Sequence, residues 1–276
     1  MTAEPTLSES DFLRLRPLLR KSHGIDLSYY TESFLGRRIG ARMRMLGVGA
    51  DEYFARLAAD GLEREALVAS LTINVTEFFR DAGVYKSLHE NVIPKILGVG
   101  PKRIAAWSAG CATGQEPYTL AMTLDGALRA RRDCSYVVHA SDISPRQLEA
   151  ARAASYPRVS AAGAPEAYTR YFVPHDADQV TIDPRIKASV RFFQYDLSTA
   201  APPIADLDLI LCRNVMIYFA SEAKLKLIES FYRALAPGGF LVLGGAEVIL
   251  QGNLFRTFDP RQKIYQAVPR SEAGAR

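Results

Sequence analysis

The densest chemical signal in the 276-residue chain is the stretch Arg103-Ile-Ala-Ala-Trp-Ser-Ala-Gly-Cys-Ala-Thr-Gly-Gln-Glu-Pro-Tyr118, which reads as a strand, a glycine turn and the start of a helix. Gly110 and Gly114 let backbone come close to a ligand, and Pro117 is suited to a first helical turn. No Lys-Ser/Thr pair follows the second glycine and the G-x-G-x-x-G spacing is absent, so neither a triphosphate nor a pyrophosphate is the expected ligand. Glu116 strengthens that exclusion, because it occupies the positive end of the helix dipole that a phosphate would want. The turn therefore suits a neutral or cationic ligand.

The next apolar run ends Val138-His-Ala-Ser-Asp-Ile-Ser144 and sets a carboxylate beside the glycine turn, where Asp142 can accept hydrogen bonds from both hydroxyls of a ribose. Capping the helix entered at Pro145 is the alternative use of Asp142. An unphosphorylated ribose beside a cation-tolerant turn points to S-adenosylmethionine. Asp196-Leu197 closes a third run and is placed to flank an adenine; the fourth run, Asp206 to Phe219, carries Arg213, Asn214 and Tyr218 on its exit. A nucleophile is not in evidence. His23, His89, His139 and His175 are scattered, and Cys111 has no histidine partner in its motif, so a small buried side chain is the expectation there.

These residues need a frame. With 48% apolar and 23% charged residues the chain has the composition of an ordinary globular protein, which excludes disordered and fibrous classes. Its 34 basic and 30 acidic residues give a net charge of +4, too mild to demand nucleic acid. No apolar run approaches the roughly 20 residues of a membrane span, and the N-terminus is acidic and polar, so a cytoplasmic protein without membrane insertion is expected. Cys111, Cys134 and Cys212 are odd in number and far apart, which argues against disulfides and a structural metal.

Residues 8–90 show helical spacing and few β-branched runs, so a helical N-terminal domain is expected, with residues 91–268 forming a second domain and 269–276 a loose tail. Leu35, Ile39, Met43 and Leu46 make an apolar stripe, and no acidic residue falls between Glu32 and Asp51 while Arg37, Arg38, Arg42 and Arg44 do. A helix over about 33–46 with a cationic back follows, either a solvated face or a docking site for an acidic partner. After Pro101, runs at 103–108, 136–140, 190–194, 207–212 and 240–243 alternate with helical stretches at 116–129, 145–154 and 221–236. That is the pattern of an α/β, doubly wound, Rossmann-like sheet with ligand sites at the strands' carboxyl ends. The β-rich segments 179–182 and 188–193, separated by Asp183-Pro184, suggest a small excursion from that sheet.

Leu71-Thr-Ile-Asn-Val-Thr-Glu-Phe-Phe-Arg80, then WSAGCATGQEPYTLAM, ASDIS and CRNVMIYF, in this order and spacing, resemble the chemotaxis-receptor glutamate methyltransferases, the CheR family, from about residue 10 to 268. The resemblance implies an all-α N-terminal domain, a Rossmann-like S-adenosylmethionine domain and a small inserted β-subdomain at about 171–193. It implies methyl transfer to glutamate side chains on the cytoplasmic helical bundle of chemoreceptors, with S-adenosylhomocysteine as product and no metal. By position it assigns Asn74, Thr76, Arg80, Glu116, Asp142, Asp196, Leu197, Arg213 and Asn214 to the cofactor beside Gly110, which would set the site between domains. Arg80 and Tyr218 would orient the substrate carboxylate, and Arg37, Arg38, Arg42 and Arg44 would dock the receptor.

The sequence departs from the family where many members have Gly-His-Ser-Glu after the fifth strand and this chain has Gly244-Gly245-Ala246-Glu247. The 171–193 segment is also shorter than in members that grip a receptor's C-terminal pentapeptide, so a monomeric enzyme that does not use that tether is expected; appreciable calorimetric affinity for the tether peptide would refute this. A nucleic-acid methyltransferase is disfavoured because the loop after the fourth run lacks the Asn/Asp-Pro-Pro-aromatic string, and an NAD oxidoreductase by the glycine spacing and Glu116. A module that has lost catalysis would have little reason to keep Arg80, Asp142 and Tyr218 together.

Overall fold

A computed structural model describes residues 9–23, 25–71, 76–98, 103–131, 133–199, 201–249 and 252–269. Asn74 and residues 270–276 of the expected tail lie outside the described residues. The chain divides into two compact units, residues 1–73 with 218–226, and residues 74–217 with 227–276.

The first unit is built from helices α1 (Glu9–His23), α2 (Glu32–Leu46), α3 (Ala50–Ala59) and α4 (Gly61–Leu71). Helix α2 starts where the Thr31 side chain accepts from the Phe34 N–H and stops at Gly47, whose φ of 69° ends the helix in a left-handed turn. Three of the four residues of its predicted stripe, Leu35, Ile39 and Met43, are buried with Phe34 beside them, and Leu46 at the last turn is partly exposed. The segment from Tyr218 joins this unit by backbone pairing, through Thr31 N–H to the Tyr218 carbonyl at 3.0 Å and Ala220 N–H to the Tyr29 carbonyl at 2.8 Å.

The second unit opens with α5 (Ala82–Ser87), a π-helical turn (Leu88–Val92) and α6 (Ile93–Gly98); of these, α5 and the turn as far as residue 90 fall in the N-terminal domain expected from sequence. Val84, Tyr85, Leu88, Val92, Ile93 and Ile96 are buried in one core with Ile104 and Ala106 of the first strand, so the boundary falls near residue 73 and not 90. Helical periodicity reveals an apolar face but not the core it will join. The remaining elements are β1 (Arg103–Ala109), α7 (Gln115–Leu128), β2 (Ser135–Asp142), α8 (Pro145–Ala153), β3 (Ser155–Pro157), α9 (Arg158–Ala161), β4 (Phe172–Pro174), β5 (Gln179–Ile182), α10 (Pro184–Ala188), β6 (Val190–Gln194), β7 (Leu207–Cys212), α11 (Ser221–Ala234, whose first turns lie in the first unit), β8 (Leu235–Leu243), β9 (Phe255–Asp259) and β10 (Ile264–Ala267).

The main sheet has the order β6-β2-β1-β7-β8-β10-β9. The β6, β2, β1, β7 and β8 pairings are parallel, and β10 runs antiparallel to both neighbours. The strand order reverses between β1 and β7, which makes their carboxyl ends the expected ligand crevice of a doubly wound sheet. Register carries the site residues there: Ala109 pairs with Ser141, Asp142 with Gln194, and Cys212 with Leu243.

The small excursion is a three-stranded antiparallel sheet, β3-β5-β4. It begins earlier than the expected residue 171 and ends before 193. Val190–Gln194 belongs to the main sheet, where it pairs with β2, and Asp183-Pro184 begins α10, the Asp183 side chain accepting from the Arg185 N–H at 2.8 Å. Proline at a first helical position was open to either reading from sequence.

Candidate active site

Sharp turns bring the strand tips of the second unit into play. At Gly110, φ is +83° and an added Cβ would meet Val215 Cγ2 at 2.7 Å, so the turn after β1 excludes side chains. Its backbone is tied down: the Gly110 and Cys111 N–H groups both donate to the Ser141 carbonyl at 2.8 Å. Asp142, 9% exposed, accepts from the Ala112 N–H through Oδ2 and from the Ser144 N–H through Oδ1, each at 2.9 Å. Burial raises its pKa against the pull of those donors. The cap of α8 is Ser144, whose hydroxyl accepts from the Gln147 N–H, so the capping alternative for Asp142 is not the one adopted.

Glu116 sits in the first turn of α7 as expected, and its carboxylate is drawn inward. Oε1 accepts from the Ser108 hydroxyl at 2.7 Å and Oε2 lies 3.7 Å from Arg213 Nη1. Burial raises the Glu116 pKa, with Arg213 and Ser108 opposing. A carboxylate so placed complements an ammonium or sulfonium and repels phosphate.

Arg213 is used differently from the expectation. Its side chain is 2% exposed, and Nη2 donates to Asp81 Oδ2 at 2.5 Å and to the Arg80 carbonyl at 3.0 Å, while Nη1 reaches the Tyr85 hydroxyl at 3.3 Å. The guanidinium is thus turned into the protein, where it holds the turn that bears Arg80. In that turn Phe79 and Asp81 have φ of 55° and 57°, conformations that need such support. The residue reaches the strand tip through its backbone. Its Nε is buried without a partner among the described residues, as is Asn214 Oδ1.

Asn214 follows with φ of 61°, and its N–H donates to Glu247 Oε2 at 3.0 Å. Asp196 lies just beyond β6 and accepts from the Ser198 N–H at 2.8 Å, with Leu197 buried beside it. Thr76 and Arg80 are half-buried in the same unit. Ser108, Asp81, Tyr85 and Glu247 are contributors that sequence reasoning passed over. Asp81 adjoins Arg80 in the motif and Ser108 stands eight residues before Glu116 in the glycine-turn stretch, so both were open to discovery; Tyr85 and Glu247 act on partners remote in sequence.

Cys111 is buried, and burial drives its thiol pKa well up, so it is a packing residue and not a nucleophile. No group of three or more His, Cys, Asp or Glu able to hold a metal occurs among the described residues. No helix among them is long and apolar enough to cross a membrane.

In the first unit, Tyr218 is half-buried, its ring 4.8 Å from that of Phe34. The arginines expected to form one docking surface separate into two kinds. Arg37 and Arg44 are exposed, and Arg38 lies with its guanidinium 5.5 Å from the Phe34 ring centroid. The Arg42 guanidinium is engaged within its own unit. Its Nε and Nη2 grip Glu63 at 2.9 and 2.6 Å, and Tyr53 donates to the same carboxylate at 2.9 Å. Glu63 is 21 residues away on α4, a pairing invisible to helical periodicity.

A doubly wound sheet with a glycine turn after its first strand, a carboxylate at the second strand tip and another at the head of the first crossover helix has the layout of a nucleoside-binding α/β enzyme. Residues 74–264 match the family described as CheR methyltransferase, SAM binding domain, and residues 10–72 match its all-alpha domain. The chain belongs to the CheR methyltransferase family and is an S-adenosylmethionine-dependent methyltransferase. It is 32% identical to a chemotaxis protein methyltransferase of Listeria monocytogenes, over 88% of this chain and 91% of that one. Chemotaxis protein methyltransferase 1 of Pseudomonas aeruginosa is 31% identical over the same shares. Among solved structures it is similar to a TehB-like SAM-dependent methyltransferase of Corynebacterium glutamicum, 16% identical, covering 69% of this chain and 96% of that one at a TM-score of 0.39.

Proposed function

We propose that the chain methylates glutamate side chains on the cytoplasmic helical bundle of chemoreceptors, leaving glutamate methyl esters and S-adenosylhomocysteine. The observation that carries the cationic methyl donor in this reading is the largely buried Glu116 carboxylate, 13% exposed and raised in pKa by burial against the pull of Arg213, at the head of α7. A cationic ligand completes its charge balance. The orphaned Asn214 Oδ1 supports the same fit, since a buried acceptor without a partner among the described residues awaits a donor.

Glu116 would hold the cationic amino-acid end of S-adenosylmethionine, Asp142 its ribose hydroxyls, and Asp196 with Leu197 the region of its adenine. When bound, the sulfonium supplies an activated methyl group. The substrate glutamate, with an ordinary pKa of about 4.3, is already ionised near neutrality, so the residues around it need to position and desolvate it and not to move a proton. A guanidinium fork suits that carboxylate, and Arg80 is the residue assigned to it. Tyr218 is the second candidate for orienting the substrate. Arg37, Arg38 and Arg44 remain the proposed docking residues of the first unit.

The test is transfer of a radiolabelled methyl group from S-adenosylmethionine to purified receptor cytoplasmic fragments. Label released by mild alkali is expected for a carboxyl ester. Arg80→Ala should lower the rate by about a hundredfold or more if it positions the acceptor. Label that resists alkali, or none at all with a cofactor-loaded enzyme, would overturn the proposal.

A further inference from the structure

The turn after β8 carries a carboxylate that no assigned role uses. Glu247 is 4% exposed, and its hydrogen-bond partners are backbone N–H groups from two different loops. Oε2 accepts from Gly244 at 2.6 Å and from Asn214 at 3.0 Å; Oε1 accepts from Ile217 at 3.2 Å. Asn214 and Ile217 are the two ends of the loop that leaves β7. One of them carries the buried, unpartnered Oδ1, and the other immediately precedes Tyr218.

We propose that Glu247 is a positioning residue for methyl transfer, clamping both ends of the Asn214–Ile217 loop so that Asn214 is held toward its ligand. This rests on the S-adenosylmethionine reading of the site. Asn214 has a φ of 61°, a conformation disfavoured for residues with a Cβ and tolerated best by Asn and Asp. A carboxylate oxygen accepting from its N–H at 3.0 Å is the kind of directional bond that can hold it there. The clamp also explains the chemistry of its own turn. A Cβ on Gly244 would lie 2.7 Å from Asn214 N, 2.8 Å from Asn214 Nδ2 and 2.8 Å from Glu247 Oε2, so a side chain there would push apart the groups that the carboxylate joins. At Gly245 a Cβ would meet nothing within 4 Å, and Ala246 is exposed. The two positions where this chain departs from Gly-His-Ser-Glu are thus the two that the clamp does not use.

The experiment compares Glu247→Gln, Gly244→Ala and Gly245→Ser in the full chain, by calorimetric titration with S-adenosylhomocysteine and by methyl transfer to receptor fragments. Glu247→Gln keeps one acceptor oxygen and sets an NH2 against N–H donors. It should weaken S-adenosylhomocysteine about tenfold and raise KM for the methyl donor more than KM for the receptor. Gly244→Ala should reproduce that pattern, and Gly245→Ser should behave as the parent protein. A folded Glu247→Gln protein with parental affinity and kinetics overturns the clamp. If Glu247→Gln does not fold, Gly244→Ala decides, and parental affinity there overturns it equally. Were the parent protein to bind S-adenosylhomocysteine but leave receptor fragments unlabelled, the receptor reading would fall while the clamp would still be judged by binding.

Discussion

In the first unit Arg42 meets Glu63 through two bonds, Tyr53 supplies a third, and both carboxylate oxygens are engaged. In the second unit Arg213 spreads over Asp81, the Arg80 carbonyl, Tyr85 and, at 3.7 Å, Glu116, yet its Nε stays without a partner among the described residues. Both arginines are drawn out of water by acidic partners. The first arrangement is closed: every strong donor that reaches Glu63 comes from its own helical unit, and nothing remains for a ligand. The second is open, because Glu116 keeps a raised pKa despite Arg213. Polar groups buried for stability are satisfied internally, whereas those buried for binding are left short of a partner.

Removing each arginine tests that contrast. Arg213→Met should cost both folding stability and function, with methyl transfer reduced by about a hundredfold or more because the Arg80 turn and Glu116 lose their common anchor. Adding Glu116→Gln to neutralise the stranded carboxylate should not restore S-adenosylmethionine binding, which needs that charge. Rescue of binding by the double variant would show the hub to be as closed as the clasp.

Arg42→Met should lower stability by about 3 to 5 kcal/mol in chemical denaturation, the usual cost of stranding one member of a buried pair, and Arg42→Met/Glu63→Leu should recover most of it. Affinity for S-adenosylhomocysteine should not change in the double variant. The clasp also fixes a sign with pH. The bonds from Arg42 hold the Glu63 pKa below its ordinary value, so its stabilisation is complete above the unfolded pKa and is lost as pH falls through the lowered folded one.

Legibility in the sequence follows the same division. The placement of Asp142, Glu116 and Gly110 was readable because each stands within a few residues of the strand tip or helix start that carries it. The sheet was readable because apolar runs and helical stretches alternate at crossover spacing. Arg42 was misread as a surface cation, since its partner lies on another helix and helical periodicity carries no pairing information. Arg213 was placed at the strand exit by its position in the motif, which says nothing of its side chain, and its surroundings turn the guanidinium inward. Glu247 escaped notice because its partners are backbone N–H groups, which leave no mark on residue type. The boundary at 73 was missed for a related reason: the apolar face of α5 looks the same whichever core receives it.

A smaller effect concerns pH at the open hub. Burial raises the Glu116 pKa in the free enzyme, against the opposing pull of Arg213, Ser108 and Arg80 and with Glu247 adding to the rise. A bound cation must lower it, so binding releases a proton where the free carboxyl is still protonated, near and below its free-enzyme pKa. Affinity for S-adenosylmethionine should therefore fall as pH is lowered through the free-enzyme pKa of Glu116, by up to about tenfold per pH unit. Titrations in two buffers of different ionisation enthalpy would detect the released proton. An affinity flat across that range would mean Glu116 is not the group facing the cation.

The weakest expected effect lies on the cationic back of α2, where Arg37 and Arg44 are exposed and Arg42 is withdrawn into its clasp. Exposed charges at the rim of an association surface act mainly on encounter rate and salt sensitivity. Each of Arg37→Gln and Arg44→Gln should weaken receptor-fragment binding by about two- to fivefold, with the difference shrinking as salt shortens the screening length. S-adenosylhomocysteine affinity should stay at the parental value. Arg42→Gln gives the sharper control: if its effect on receptor binding follows loss of thermal stability and is insensitive to salt, the clasp is structural, and the docking charge of this helix resides in the arginines that remain in water.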